Sequence, residues 1–347
     1  MRIRNGATAL ALGSLLIGCD RDPTAPAGAS ADNLQPELAA AAASWSLKAP
    51  LPKARSNFHA STVNGIVYAI GGYFESATGL QVRARVDAYD VASNSWSQKR
   101  SLPEALLPHG ATAINGRIYV AGGWTDGRLS KRLYVYDPAT DTWTRKADLP
   151  FTIDRYAGHQ ATIGGKLYVY AGVTVNADGS KGPHRFLRYD PATNKWASLA
   201  RPSYARLGGA SGVIDGRLYL VGGSLPTTQN GQGKAYDVHV YDPATGWTTR
   251  PLGLFGLNSV GLAYAPVGGK LYIVGSTSGC NTSVSAVYDP VANALSPFSS
   301  APRRARAAGV AAKGRFFVLG GSEDEPDDGG CYVGTGRVTA EVWAYTP

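Results

Sequence analysis

Short apolar runs closed by glycine recur along this chain: VYAIGG, IYVAGG, LYVYAG, LYLVGG, LYIVGS and FFVLGG. Each is of strand length and rich in β-branched and aromatic residues, which favours buried strands over helices. The closing pairs are Gly71-Gly72, Gly122-Gly123, Ala171-Gly172, Gly222-Gly223, Gly275-Ser276 and Gly320-Gly321, spaced 51, 49, 51, 53 and 45 residues apart. Six residues before each pair stands another glycine: Gly65, Gly116, Gly165, Gly216, Gly269 and Gly314. These complete two-residue turns such as Asn64-Gly65, Asp215-Gly216 and Lys313-Gly314. Asn-Gly and Asp-Gly suit type I′ turns, where both central residues take positive φ. Every unit therefore opens with a tight hairpin, strand a followed by strand b.

A second half follows in each unit. Tyr-Asp stands at Tyr89-Asp90, Tyr136-Asp137, Tyr189-Asp190, Tyr241-Asp242 and Tyr288-Asp289. Six or seven residues later come Trp96, Trp143, Trp196 and Trp247, after DPAT-type linkers that favour a type I turn. This adds strands c and d. Four antiparallel strands repeated six times is the pattern of propeller blades. The chain ends at Pro347 after strand c of the sixth unit. Its missing strand d is written at the other end, where Trp45–Pro52 (WSLKAPLP) matches Trp143–Pro150 (WTRKADLP). The expectation is an all-β, six-bladed ring over residues 44–347, closed by the N-terminal strand.

These residues resemble the kelch repeat: strand, Gly-Gly, Tyr, then Trp at a fixed interval. The resemblance covers residues 45–347, with Leu295 in place of the fifth tryptophan and Tyr345-Thr346 in place of the sixth Tyr-Asp. It implies a kelch-type β-propeller in which strand a lines a central channel and the d–a and b–c loops share one face.

Residues 1–18 form a separate unit. Arg2 and Arg4 precede the apolar stretch Ala7–Gly18, which has signal-peptide length and is too short to span a bilayer. Leu16-Ile17-Gly18-Cys19 resembles the bacterial lipobox, which implies lipidation of Cys19 and a cell-envelope location, held by lipid alone. Residues 19–43 are rich in Pro, Ala and Asp and poor in large apolar side chains, so they read as a tether. The formal net charge of +9 includes Arg2 and Arg4, and no basic run suggests nucleic-acid binding. Export places the chain in an oxidising compartment. Cys280 and Cys331 fall in equivalent b–c loops of adjacent units, so a Cys280–Cys331 disulfide is expected.

Strand a is expected to begin with a repeated arginine, ten residues before the turn glycine, at Arg55, Arg155, Arg206 and Arg304, with Leu106 and Ser259 in the other two units. Two readings stand. The guanidinium groups bond loop carbonyls and neighbouring acids, or they ring one channel mouth and bind an anion. Tyr73 and Trp124 follow Gly-Gly directly and either stack on a ligand or pack their loops. His59 and His159 share a column without a matching third ligand, and His109 is one residue out of phase, so neither a metal nor a cofactor is expected. The acidic run Glu323–Asp328 lacks calcium-loop alternation and reads as a solvated loop. Galactose oxidase chemistry needs a Cys–Tyr cross-link with His ligands that this chain lacks, and sialidase Asp-boxes are absent. The expected function is non-catalytic: a monomeric binding or scaffold lipoprotein engaging a protein or an anionic glycan through one face. The alternative is a carbohydrate-active enzyme resembling periplasmic N-acetylneuraminate epimerase. The fold alone does not decide between them.

Overall fold

Six antiparallel sheets carry the apolar runs, one per repeat: five have four strands, and the second also takes in Leu107–Pro108 as a fifth. The computed structural model describes residues 43–347 except 78, 126, 155–157, 226–232, 253–260, 276–284, 299–301, 303, 324, 327–331 and 334–336. These residues belong to one compact unit, Ala41–Pro347. Blade 1 runs His59–Val63, Ile66–Ile70, Val86–Asp90 and Ser95–Lys99, and the later blades repeat the order a-b-c-d. Strands a and b meet at the expected turns: Asn64 and Gly65 have φ of 51° and 79°, and Lys313 and Gly314 have 49° and 70°.

The sixth sheet combines Ala308–Ala312, Arg315–Leu319 and Val342–Thr346 with Ser44–Lys48 from the other end of the chain. Its register runs from Ser44 opposite Thr346 to Lys48 opposite Val342. The a strands touch in a closed circle, the last of them (Ala308–Ala312) packing on the first (His59–Val63). Closure leaves no open edge between first and last blades.

Among the described residues, six buried apolar clusters fill the six gaps between neighbouring blades. One of them joins Phe317 and Leu319 of blade 6 to Val67 and Tyr89 of blade 1. The tyrosine and tryptophan of each repeat build these joints. In blade 3, Tyr189 and Trp196 stack with centroids 5.1 Å apart. Trp196 Nε1 donates to Ala147 O of the preceding blade at 2.8 Å, while Tyr189 O–H donates to Asn194 Oδ1 at 2.7 Å. The Ala147 N–H donates to the same Asn194 Oδ1 at 2.9 Å. The latch recurs at Trp96, Trp143 and Trp247. Blade 5, with Leu295, keeps the connection by another route: Asn293 Nδ2 donates to Pro251 O at 2.8 Å.

One expectation shifts. The arginine column does not begin strand a. Arg55-Ser56 pairs with Tyr73–Phe74, and strand a starts at His59. Equivalent pairs join Leu107-Pro108 to Gly123–Trp124, Thr152-Ile153 to Thr174-Val175, Leu207 to Ser224, and Ala305 to Ser322. A second tier of small ladders thus lies over the blades on the d–a and b–c side. The glycine doublet makes room for it. A methyl group on Gly71 would come 2.3 Å from Leu106 O of the next blade, and one on Gly72 would come 2.9 Å from Ser56 O.

Candidate functional site

The second tier accounts for the arginines. Arg55 is fully buried, stacked at 4.5 Å over Phe74, and ion-paired with buried Asp87 at the start of strand c. Arg85 grips the same carboxylate through Nε at 2.8 Å and Nη2 at 2.7 Å. Burial lowers the Arg55 pKa, and Asp87 opposes that shift. Arg206, also fully buried, pairs with Asp237 and donates through Nη1 to Gly222 O at 2.6 Å. Burial pushes it down to about 10, which leaves it charged at neutral pH. Arg304 pairs with Glu341, whose Oε2 also accepts from Trp343 Nε1 at 2.9 Å.

Three of the four column arginines are therefore engaged by a carboxylate of their own blade. For these three, the expectation of free charge around the mouth is corrected: each guanidinium ties the d–a segment to the start of strand c. The sequence carries a signal for this. An acidic residue stands two to four positions before the blade's tyrosine, as Asp87, Asp237 and Glu341. Blade 2 swaps the partners, with Glu104 on the d–a segment and Arg132 on strand c, 2.7 Å apart. Arg155 lies outside the described residues, as do Cys19, Cys280 and Cys331.

Tyr73 and Trp124 are neighbours, with ring centroids 6.1 Å apart across the joint between blades 1 and 2. Both are partly buried on the second tier. Their strands pair with the segments that reach the channel mouth, through Ser56 and Leu107. His184 does not share that mouth, since its Nε2 contacts Pro202 O at 2.9 Å beside the outer strands.

The mouth itself is a cavity of about 90 Å³ lined by Asn57, His59, His109, His159, Tyr264 and Arg306, with backbone from Gly208 and Gly261. His109, out of phase in sequence, meets the other two because Gly158 leaves it space. A Cβ there would stand 2.6 Å from His109 Cβ. His159 Nε2 donates to Gly208 O at 2.9 Å, and its Nδ1 lies 3.1 Å from Ser211 Oγ and 3.3 Å from Tyr264 O–H. Burial, reinforced by the neighbouring His109 and His159, pushes His59 down to about 4. Burial also takes His159 to about 4. At neutral pH the His59 and His159 imidazoles are therefore uncharged. Arg306 is exposed and its guanidinium has no partner among the described residues. Among the described residues no carboxylate lines the cavity. Among the described residues no three His, Cys, Asp or Glu stand close enough to hold a metal ion.

Beyond the histidines a second cavity of about 320 Å³ follows strand a down the channel, sharing His59 and Tyr264. Its walls carry the hydroxyls of Ser61, Thr62, Thr112, Thr162 and Ser211. Some of these already bridge blades: Thr112 and Thr162 are 2.9 Å apart, and Thr62 donates to Ala311 O at 2.8 Å.

The family model for the KLHDC2/KLHL20/DRC7 Kelch-repeats domain matches residues 38–223 and 108–321. Human Kelch-like protein 23 is 26% identical over 264 residues, covering 74% of this chain and 43% of that protein. Zebrafish Kelch-like protein 15 is 27% identical over 196 residues, covering 52% and 32%. Beta-scruin of Limulus polyphemus is 28% identical over 180 residues, covering 50% and 19%. The chain thus spans less than half the length of these curated relatives. Among solved structures, that of YjhT superposes with a TM-score of 0.63 at 14% identity, covering 86% of this chain and 97% of that one. At that identity the likeness concerns the fold alone. With six phased repeats, a closed ring and a family match across most of its length, the chain belongs to the kelch-repeat family.

Proposed function

We propose that this protein is a non-catalytic binding protein that engages a protein or glycan ligand through the propeller face carrying the second tier. The observation that carries the reading is the composition of the channel mouth. Among the described residues it offers uncharged His59 and His159, the exposed cation of Arg306, and no carboxylate. A general base works best with a pKa near the operating pH. His59 and His159, both near 4, fall well below it, and His159 is already occupied by Gly208, Ser211 and Tyr264. The same groups suit recognition, because fixed donors and acceptors around a small opening orient a polar ligand.

The mouth also motivates a second reading, that of a carbohydrate-active enzyme of the sugar-epimerase kind. Three imidazoles beside a guanidinium are the parts such chemistry would need. It would require one of them to titrate near neutrality once substrate is bound. A glycan array and affinity capture with the purified protein test the first reading, with the His59→Trp variant as a block of the mouth. Capture lost on blocking, with the captured ligand recovered chemically unchanged, is expected. Turnover of a captured sugar would establish the second reading.

Residues 1–43 support delivery to a bacterial cell envelope. In this proposal residues 1–18 direct export, Cys19 carries the lipid, and residues 20–43 act as a spacer. Cys19→Ser should release the protein from the membrane fraction and abolish labelling by a fatty acid. The proposed Cys280–Cys331 disulfide is checked by titrating free thiols in the native protein, with none expected from this pair.

A further inference from the structure

Blade 6 departs from the repeat on the face opposite the second tier, where the a–b and c–d turns lie. In blades 2 to 5 the first residue of strand b is a cation paired with the aspartate that ends strand c: Arg117 with Asp137, Lys166 with Asp190, Arg217 with Asp242, and Lys270 with Asp289. In blade 6 those two positions hold Arg315 and Thr346. The cation is kept and its acid is gone. The preceding turn adds a second cation. Its first position carries Asn64, Asn115, Gly164, Asp215 and Gly268 in the other blades, types that accept a left-handed backbone, whereas blade 6 has Lys313 at φ 49°. A disfavoured conformation retained in this way points to a functional demand on the residue. Lys313 is exposed and its side chain lies over the neighbouring turn, since a Cβ on Gly65 would stand 2.5 Å from its Cε. Among the described residues neither Lys313 nor Arg315 has a carboxylate partner.

The chain also enters the ring in this sector. Phe316 stands opposite Tyr345, so Arg315 comes level with Thr346, and Thr346 stands opposite Ser44. At the spacing of neighbouring strands, Ser44 is about 10 Å from Arg315. Next door, the c–d turn of blade 5 places Val291, 95% exposed, where the first four blades have Ala92, Ala139, Ala192 and Ala244. Blade 1 carries the opposite departure, with Asp90 opposite Ile66, so blades 6 and 1 together set two cations against one acid there. Cations near an anionic bilayer are attracted to it, and an apolar side chain beside them gains by entering the interface. We propose that the turn face at blade 6 is a docking surface for an anionic phospholipid bilayer, with Lys313 and Arg315 against the headgroups and Val291 beside them, so that the channel mouth looks away from the membrane. A lipid on Cys19 would fix proximity, and these residues fix orientation. The proposal rests on residues 1–43 delivering the chain to a membrane.

Site-resolved lysine labelling on vesicles tests it. The Cys19→Ser chain is held through an N-terminal hexahistidine by a nickel-chelating lipid, so the result does not depend on acylation. The vesicles are phosphatidylcholine with or without phosphatidylglycerol. Phosphatidylglycerol is expected to slow labelling of Lys313, and of Lys270 on the same face, about fivefold or more. Exposed Lys131 and Lys181, on the second-tier side, should keep their rates. Thr346→Asp, which restores the repeat's acid beside Arg315, should reduce the protection of Lys270 to about twofold or less. Lys313→Asn, which restores the residue type of blades 1 and 2, should do the same without lowering the thermal midpoint. Equal labelling of both faces overturns the proposal. So does protection of Lys131 and Lys181 instead, or protection of Lys270 undiminished in both variants. A tethered chain that docks, beside a wild type that takes no fatty acid, removes the reading of Cys19 and keeps the docking face. An acylated wild type labelled equally on both faces does the reverse.

Discussion

Asp87 has no exposed surface and stands between two guanidinium groups, that of buried Arg55 and that of Arg85, whose side chain is 25% exposed. Removing one partner of a buried pair leaves a desolvated charge, which costs about 3–5 kcal/mol, whereas a partly exposed pair contributes about 1 kcal/mol or less. Asp87→Asn should therefore lower the free energy of unfolding in urea by about 3 kcal/mol or more, and Arg85→Ala by about 1 kcal/mol or less. Equal effects of the two would show that the Arg55 contact does not govern this joint. His159 makes the protein acid-sensitive by a separate route. Its folded pKa, about 4, lies below the ordinary value of 6.5. The unfolded chain therefore binds the proton more tightly, so the stabilisation is fully present above pH 6.5 and is lost as pH falls toward about 4. Urea midpoints measured from pH 7 to 4 should fall across that window, and more gently in His159→Gln. An identical slope in that variant would detach the effect from His159.

Between residue and ring, the working element is the tryptophan latch. At Trp96, Trp143 and Trp196 the indole crosses to a carbonyl of the preceding blade, and the tyrosine beneath it is fixed by the left-handed Asn or Asp that ends the c–d turn, such as Asn194 at φ 54°. Trp247 makes the same crossing from a turn that ends in Gly246. Trp196→Phe keeps an aromatic ring and removes the Nε1 donor, leaving Ala147 O without that bond. A net loss of about 1 kcal/mol is expected, read as a shift in urea midpoint without a change in slope. Blade 5 keeps the carbonyl bond without the ring: there Leu295 packs against the apolar cluster and Asn293 supplies the hydrogen bond. Asn293→Ala should consequently weaken the joint between blades 4 and 5, with local hydrogen exchange as the measure. In blade 6 the ring is Trp45, held among Phe298, Phe316 and Tyr345.

At the scale of the whole molecule, stability depends on Ser44–Lys48 completing the sixth sheet. Without it, Val342–Thr346 becomes an edge strand with unpaired backbone groups, a template for aggregation. The joint between blades 5 and 6 would also lose Trp45. Deleting residues 44–48 should lower the melting temperature sharply and produce high-mass species on size exclusion. Deleting residues 20–40 should do neither. Comparable melting of the two truncated proteins would mean that the closure contributes little.

The repeat pattern alone determined the four strands of each blade, the turns between strands a and b and the closing partner of the last blade, because each follows from local chemistry copied six times. Asn64-Gly65 reads as a positive-φ turn wherever it stands, and Trp45–Pro52 announces its role by matching Trp143–Pro150. What the arginines do was decided only in three dimensions. Column arithmetic places Arg55 and Arg206 at equivalent points, and the acid before each tyrosine shows its meaning only once the pairing of strands b and c sets Asp87 and Asp237 beside them. The meeting of His59, His109 and His159 was equally hidden, since His109 is out of phase and comes into place where Gly158 leaves space. Arg306 lies two residues beyond the arginine column, and its left-handed backbone, at φ 56°, is held by bonds to blades 5 and 1. Repeats encode what each blade does for itself. A site at the axis is made of what blades do to one another, and that geometry exists only after the ring has closed.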